Sequence, residues 1–206
     1  MSQRFLDSLS PKLTAEATAR LVPRKSASVA VIFRDAQDDE EVLLIRRAER
    51  EGDPWSGQVA FPGGMVGPAD KTFEDTAKRE AAEEVGVDLS NRAAVFRGYM
   101  RDFRARTKEV VVVPSVFKLV ASSSSQLTPN QEEVASCEWA SLGELAGEEA
   151  RSSYLIPKGG GQIPFPCIVH RGLVIWGMTE KILSVIIRGR TDAAATGLQG
   201  KSSATG

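Results

Sequence analysis

The sequence predicts an α+β fold in which a mixed central β-sheet is flanked by helices, an α/β/α sandwich. Strand-length apolar runs dominate the middle of the chain, and helical apolar patterns stand on either side of them. A chain of 206 residues, of which 42% are hydrophobic, can bury one substantial core. We therefore expect a single globular domain over residues 25–189, an N-terminal helical segment over residues 1–24 and a disordered tail over residues 190–206.

The first part of the chain predicts one helix and three strands. An amphipathic pattern over residues 6–21 predicts a helix that Pro23 ends. Runs rich in β-branched and apolar residues predict strands at residues 26–33, 41–47 and 59–61. The third strand runs into Pro62-Gly63-Gly64, which we interpret as a turn that lets backbone N–H groups approach a ligand.

A second helix is predicted over residues 73–85, where Gly86 suits the left-handed conformation that ends many helices. The elements predicted after it are strands at 93–101, 109–120 and 134–140, a short helix at 142–150, a hairpin of 164–169 with 173–176, and a closing helix at 179–187. From residue 190 onward the chain is mainly Ala, Gly, Ser and Thr, which can bury little surface and therefore predict disorder.

Composition excludes several classes of protein. The net charge of −1 gives no global attraction to nucleic acid or to an anionic membrane. The sequence shows neither a secretory signal nor a membrane-spanning run, so we expect a cytoplasmic protein. Cys137 and Cys167 are interpreted as reduced thiols. The one histidine, His170, is interpreted as a partly exposed strand residue, which leaves histidine-dependent catalysis without support.

The predicted helix at residues 73–85 carries a cluster of carboxylates. Glu80, Glu83 and Glu84 share one helical face because residues three and four apart are neighbours. Like charges at that spacing cost about 0.2–0.5 kcal/mol per pair, which a cation or solvent can relieve. An all-oxygen set favours Mg²⁺ or Mn²⁺, although a solvated charged face remains the alternative. Arg79 lies four residues before Glu83 and can hold that carboxylate in place.

Residues 64–87 resemble the Nudix box, whose usual pattern is G-x5-E-x7-R-E-U-x-E-E-x-G-U, with U an aliphatic residue. Gly64 is followed at the right spacing by Asp70 in place of the first glutamate, and eight residues rather than seven separate Asp70 from Arg79. The segment REAAEEVGV then matches the pattern, with the small Ala81 in the first aliphatic position. The resemblance implies a Nudix-like fold.

The similarity extends beyond the box to one branch of that family. Residues 43–47, 56–64 and 174–179 are similar to the coenzyme A pyrophosphatases, and so is the eight-residue spacing after Asp70. Residues 48–56 depart from that branch's coenzyme A signature, because they contain no histidine and form an acidic, proline-containing loop. We therefore expect coenzyme A to be a poorer substrate than it is for relatives with the full signature.

The resemblance implies metal-dependent hydrolysis of the diphosphate linkage in a nucleoside diphosphate derivative. It assigns Mg²⁺ or Mn²⁺ as the cofactor and Glu80, Glu83 and Glu84 as its ligands. A fourth carboxylate usually joins such a site; Glu133 is our candidate and Glu132 its rival. The general base is either Glu133 or a box glutamate, of which we name Glu83, because the choice depends on reach to the attacking water.

Phosphate groups need cationic or N–H partners. Arg46 and Arg47, at the end of a predicted strand, can bind phosphate, although surface salt bridges with the nearby Glu49 and Glu51 are an equal alternative. Gly63 and Gly64 supply backbone N–H groups. Trp55 can stack on a base or pack against its own domain. Weaker phosphate candidates are Arg101, Arg104 and Lys108.

Three functions remain open. The chain can be a coenzyme A-type pyrophosphatase, a hydrolase of ADP-ribose, a dinucleotide cofactor or a nucleoside triphosphate, or a non-catalytic nucleotide-binding protein. The three crowded glutamates disfavour the third, since a protein without catalysis has no need of them. In each case the expected partner is a small nucleotide. Dimers are common in the family, so the resemblance also allows a homodimer.

Overall fold

A computed structural model describes residues 25–37, 39–104, 110–120 and 126–199. An eight-stranded mixed sheet is covered by helices on both faces, and a three-stranded antiparallel sheet lies beside it. The predicted α/β/α sandwich is therefore confirmed. The predicted N-terminal helix at residues 6–21 falls outside the described residues.

The elements follow one another along the chain as β1 (Ser26–Asp35), β2 (Glu40–Arg47), β3 (Val59–Ala60), β4 (Gly63–Met65), α1 (Phe73–Val85), β5 (Ala94–Tyr99), β6 (Phe103–Arg104), β7 (Val111–Leu119), β8 (Val134–Ser141), α2 (Leu142–Ala146), β9 (Arg151–Lys158), β10 (Gly161–His170), β11 (Leu173–Trp176) and α3 (Gly177–Gln199). The main sheet has the order β3-β2-β1-β7-β5, with β4 paired to β1, β6 to β7 and β8 to β2. The pairing of β1 with β7 is parallel.

The central strand β1 is buried on both faces, which explains its nearly continuous apolar sequence. Because side chains alternate along a strand, Ala30 and Ile32 pack in the cluster that contains α1. Val31 and Phe33 point the other way, into the larger cluster that contains α3. The two faces of one strand thus set the two core layers of the sandwich.

Helix α1 begins and ends where the sequence predicts. Thr72 and Asp75 form a capping box, in which the Asp75 N–H donates to Thr72 Oγ1 (3.0 Å) and the Thr72 N–H donates to Asp75 Oδ2 (2.9 Å). Gly86 ends the helix with φ of 71°, in the left-handed region. These caps fix which residues of α1 face the sheet.

The segment before β8 docks on the C-terminal end of α1. The Thr128 N–H donates to the Val85 carbonyl and the Asn130 N–H to the Glu84 carbonyl, both at 2.9 Å. The Glu133 N–H donates in turn to the Asn130 carbonyl (2.9 Å). Carbonyl groups left over at the helix end therefore bind the segment that carries Glu133.

The predicted turn at Gly63-Gly64 is wrong in detail, because Gly63–Met65 forms the short strand β4 antiparallel to β1. Two adjacent glycines are a poor indicator of a strand, because glycine has no side chain to pack. Here β2 pairs with β1 only at residues 33–35, which leaves the same edge of β1 open at residues 27–29. β4 pairs with that open edge, where Gly63 lies opposite Val29.

Strand β9 was not predicted. Its sequence mixes serines with Pro157 and lies mostly exposed, so it shows neither clear alternation nor a buried run. It pairs with β10, which also extends to Gly161 and is longer than the predicted hairpin strand.

The predicted disorder from residue 190 is also wrong in part, because α3 continues to Gln199. Ala193, Ala194 and Ala195 have high helix propensity, which a composition argument about burial overlooks. At the point where the tail was predicted to begin, Arg190 Nη2 lies 2.6 Å from Asp39 Oδ1. Among the described helices, none is long and apolar enough to cross a membrane.

Gly86→Ala should lower the free energy of unfolding more than Gly52→Ala does. Both glycines have positive φ (71° and 81°), so both alanines incur strain of about 1–2 kcal/mol. A Cβ at Gly86 would also lie 3.0 Å from Thr128 Cβ, whereas one at Gly52 would meet nothing within 4 Å. Urea unfolding of both variants measures the difference. Equal losses would contradict tight docking of the Thr128 segment on α1.

Candidate active site

The centre of the site is the contact between β4 and α1. Glu84 has a side chain that is only 2% exposed, and its Oε2 accepts the Gly63 N–H at 2.9 Å. A Cβ on Gly63 would lie 2.5 Å from the Ser28 carbonyl oxygen, and one on Gly64 would collide with the Glu80 carboxylate. Position 63 therefore requires glycine, because the clash is with backbone, whereas at position 64 the Glu80 side chain would have to move. The close approach buries Glu84 and most of Glu80.

The three box glutamates do not share one environment. The side chain of Glu84 is 2% exposed and that of Glu80 is 12% exposed, whereas that of Glu83 is 55% exposed. One nitrogen, Arg79 Nη1, lies 2.8 Å from Glu80 Oε1 and 3.0 Å from Glu83 Oε2. Glu84 thus lies innermost, while Glu80 and Glu83 share the guanidinium of Arg79.

Arg79 is held from the opposite side by Asp70. The pair is bidentate, with Arg79 Nε 3.2 Å from Asp70 Oδ1 and Nη2 2.9 Å from Oδ2. The Gly67 N–H (2.7 Å) and Thr76 Oγ1 (3.0 Å) also donate to Asp70. The hydrogen bond from Arg79 is the main reason that the pKa of Asp70 is lowered, against the effect of burial. Asp70 therefore orders the loop and the arginine.

Burial sets the protonation of the two inner carboxylates. It raises the pKa of Glu84 from 4.5 to about 7, and the nearby charges of Glu80 and Glu133 add to this, against the Gly63 N–H and Arg47. Burial likewise raises the pKa of Glu80, against Arg79, with Glu83 and Glu133 adding repulsion. Burial of the charge, with repulsion from neighbouring carboxylates added to it, therefore favours a proton or a bound cation at both positions.

Glu133 lies near this cluster, since its charge contributes to the raised pKa of both Glu80 and Glu84. Its side chain is exposed, which leaves it accessible to water. The rival Glu132 is also exposed, and its carbonyl oxygen accepts a hydrogen bond from Arg50 Nη2. Glu133 is thus the loop carboxylate whose effect reaches the box glutamates.

Arg47 reaches the cluster and Arg46 does not contact it. The pairing of β2 with β8 shifts register between these two residues, and such bulges re-aim side chains. Arg47 Nη1 lies 4.0 Å from Glu84 Oε1, and Nη2 lies 2.9 Å from Asp53 Oδ2. Asp53 was missed in the sequence, where the acidic residues nearer to Arg47 were taken as its partners. Asp53 lies six residues after Arg47 in a loop, so its position in the sequence did not indicate that the two side chains pair.

The weaker phosphate candidates lie on other contacts. Arg46 forms an exposed pair with Glu49 at 3.3 Å, as the structural alternative predicts. The guanidinium of Arg101 lies 5.2 Å from the centre of the Phe103 ring, and exposed Arg104 lies 3.8 Å from an Asp102 oxygen. Lys108 is outside the described residues. Trp55 is 42% exposed.

The interpretation of His170 as partly exposed is wrong. Its side chain is 3% exposed, because β10 packs against α2 and the imidazole faces Glu138 of β8. His170 Nε2 lies 3.1 Å from Glu138 Oε1, and Nδ1 lies 3.5 Å from Glu144 Oε2. These contacts join the small sheet to the main one, apart from the carboxylate cluster.

The donor set fits a hard divalent cation by its chemistry. Glu80, Glu84 and the more exposed Glu83 and Glu133 supply only carboxylate oxygens, the ligands that Mg²⁺ and Mn²⁺ prefer. In the part of the chain that the structure describes, no three acidic, histidine or cysteine side chains already form a ready-made metal site. The reason is visible in the contacts, since Arg79 and the Gly63 N–H hold these carboxylates. A cation would exchange with those partners.

Comparison with known proteins matches this geometry to one family. Residues 24–158 match the NUDIX domain. A fission yeast protein, from Schizosaccharomyces pombe, is 32% identical over 72% of this chain and 50% of its own length. The human protein named mitochondrial coenzyme A diphosphatase NUDT8 is 31% identical over 83% of this chain and 72% of its own length. The chain therefore spans only half of the yeast relative.

A solved structure of a MutT/nudix family protein from Enterococcus faecalis aligns with 95% of this chain and 70% of that chain, at a TM-score of 0.53 and 18% identity. At that identity the likeness concerns the fold alone. It agrees with a mixed sheet covered by helices.

Glu84→Gln should stabilise the metal-free protein at pH 8 and not at pH 4. With a folded-state pKa of about 7 and an ordinary value of 4.5, Glu84 favours folding below pH 4.5, and that contribution is lost as the pH rises toward 7. Glutamine keeps an acceptor for the Gly63 N–H and carries no charge. We expect a gain on the order of 1–3 kcal/mol at pH 8, measured by urea unfolding with EDTA present.

Glu74→Gln is the matched control on the same helix. Glu74 pairs with Lys78 at 2.6 Å, with both side chains about one quarter exposed, so its change should alter stability by less than about 1 kcal/mol and by the same amount at either pH. A Glu84→Gln protein with the same stability difference at pH 4 and pH 8 would show that the buried carboxylate is not the source of the effect.

Proposed function

This chain belongs to the NUDIX domain family, and on that premise we propose that it hydrolyses the diphosphate linkage of a nucleoside diphosphate derivative with the help of Mg²⁺ or Mn²⁺. The observation that carries the proposal is the burial of Glu84 and Glu80 against β4, next to Glu83 and Glu133. Buried negative charge costs free energy and is not needed to hold the fold together. A divalent cation, in contrast, requires such charge in its binding site.

Glu80, Glu83 and Glu84 are the proposed ligands, with Glu133 as the fourth carboxylate. When bound, such an ion neutralises the oxygens of the diphosphate and makes an attacking water more acidic. The chain's own groups do the positioning. Arg79 restrains Glu80 and Glu83, and the Gly63 N–H fixes the orientation of Glu84.

Proton removal from the attacking water needs a base that reaches solvent. Glu133 and Glu83 are both exposed, which supports either as the base, whereas Glu84 is too deeply buried. Glu133 has the further advantage of lying on a segment anchored to the end of α1. We therefore propose Glu133 as the base and Glu83 as the alternative.

The substrate class follows from the relatives' names and from the site. Human and mouse relatives are named mitochondrial coenzyme A diphosphatases, and a Saccharomyces cerevisiae relative is named a peroxisomal one. These names support a coenzyme A-like nucleotide. ADP-ribose, a dinucleotide cofactor or a nucleoside triphosphate remains the second candidate, because the loop at residues 48–56 is acidic. A cytoplasmic location and a homodimer remain predictions.

Hydrolysis should require added divalent metal. The proposed ligands are carboxylates without thiolate or imidazole partners, so Mg²⁺ or Mn²⁺ should restore activity and EDTA should abolish it. The measurement is product identification after incubation with coenzyme A, ADP-ribose and a dinucleotide, each with and without metal. Full turnover by protein of verified zero metal content would overturn the mechanism.

Glu84→Gln should lose activity by orders of magnitude, because both charge neutralisation and water activation depend on the ion. Melting curves provide an independent reading. The parent should gain stability on addition of Mg²⁺ by binding linkage, and Glu84→Gln should gain less. Glu74→Gln should keep both the activity and the metal-induced gain. A fully active Glu84→Gln protein would contradict this assignment of the site.

A further inference from the structure

The loop that follows β2 holds Arg47 in an ion pair before any ligand arrives. Arg47 Nη2 lies 2.9 Å from Asp53 Oδ2, and the two side chains are only 29% and 17% exposed. The Trp55 N–H donates to the other oxygen, Asp53 Oδ1, at 2.9 Å. A partly buried pair of this kind is costly to open, because removing one partner leaves the other charge unbalanced.

Two neighbouring arginines, one on β2 and one in the loop, are also engaged. Arg46 Nη2 lies 3.3 Å from Glu49 Oε1, and Arg50 Nη2 donates to the Glu132 carbonyl oxygen. Between residues 46 and 53 the chain has three arginines and three acidic residues, so this stretch has no net charge. The loop is rich in arginine without offering a surplus of positive charge.

This loop borders the carboxylate cluster. Arg47 Nη1 lies 4.0 Å from Glu84 Oε1, and the Ala48 N–H donates to the Glu133 carbonyl at 2.8 Å. A substrate whose diphosphate lies at the cluster therefore has the loop within reach of its other groups. Any additional phosphate that approaches there meets arginines already neutralised and three carboxylates.

We propose that this loop makes the site select nucleoside diphosphate derivatives that carry no further phosphate group, with Asp53 as the specificity-determining residue. This inference rests on the proposed function. An extra phosphate must displace Asp53 from Arg47, which leaves a half-buried carboxylate unpaired beside a dianion. A derivative with an unphosphorylated ribose needs no such exchange.

The test compares two substrates that differ by one ribose phosphate, coenzyme A and dephospho-coenzyme A. The wild-type protein should have a kcat/KM for dephospho-coenzyme A at least about tenfold higher. In Asp53→Asn, Arg47 becomes available, so the ratio should fall by about threefold or more, through a lower KM for coenzyme A. Glu49→Gln should shift the ratio in the same direction by less, because its ion pair is exposed.

Glu51→Gln is the matched control. It changes the loop charge by the same amount, yet Glu51 makes no ion pair within the described residues, so the ratio should stay at the wild-type value. A ratio taken on one preparation is insensitive to a partly unfolded fraction, since both kcat/KM values fall together. Melting temperatures of all variants check folding directly.

Several outcomes overturn the inference. Equal kcat/KM values of the wild-type protein for coenzyme A and dephospho-coenzyme A would overturn it. An unchanged ratio in Asp53→Asn would also overturn it. A change in Glu51→Gln as large as in Asp53→Asn would show that bulk charge acts instead of Arg47. Protein inert toward both substrates and toward ADP-ribose would instead contradict the proposed function, which keeps the two failures distinct.

Discussion

The close approach of β4 to α1 is the constraint on which the site depends. With glycine at positions 63 and 64, the β4 backbone lies against β1 on one side and against the carboxylates of α1 on the other. The Gly63 N–H supplies one hydrogen bond to Glu84, which offsets only part of the cost of removing that carboxylate from water. The part of this cost that is not offset appears as the raised pKa of Glu84. Secondary structure and site chemistry are thus set by the same contact.

Arg79 could in principle neutralise the cluster, but Asp70 prevents it from doing so fully. The bidentate pair commits two of its nitrogens to Asp70, and one remaining nitrogen is shared between Glu80 and Glu83. The aspartate in place of the usual first glutamate of the box therefore has a definite role. It fixes the orientation of the guanidinium and keeps part of the negative charge of the cluster available to a cation.

Sequence patterns predicted what depends on local chemistry. The end of α1 follows from Gly86, and the convergence of its glutamates follows from helical spacing. Features that depend on distant partners were missed. Strand β4 exists because β1 has a free side, the paired Asp53 lies on a loop, and the different burial of Glu83 and Glu84 depends on where the sheet lies. The extension of α3 was missed because alanine-rich sequence was judged by burial alone.

The two buried glutamates are surrounded in the same way. Asp70 holds Arg79 against Glu80, and Asp53 holds Arg47 near Glu84. With all groups ionised, two arginines and four carboxylates give this inner set a net charge of −2. One divalent cation balances that charge, and Glu83 with Glu133 would balance a second. An aspartate cancels the charge of each arginine, while Arg79 orients Glu80 and the Gly63 N–H orients Glu84. The arrangement therefore combines fixed geometry with an unmet demand for positive charge.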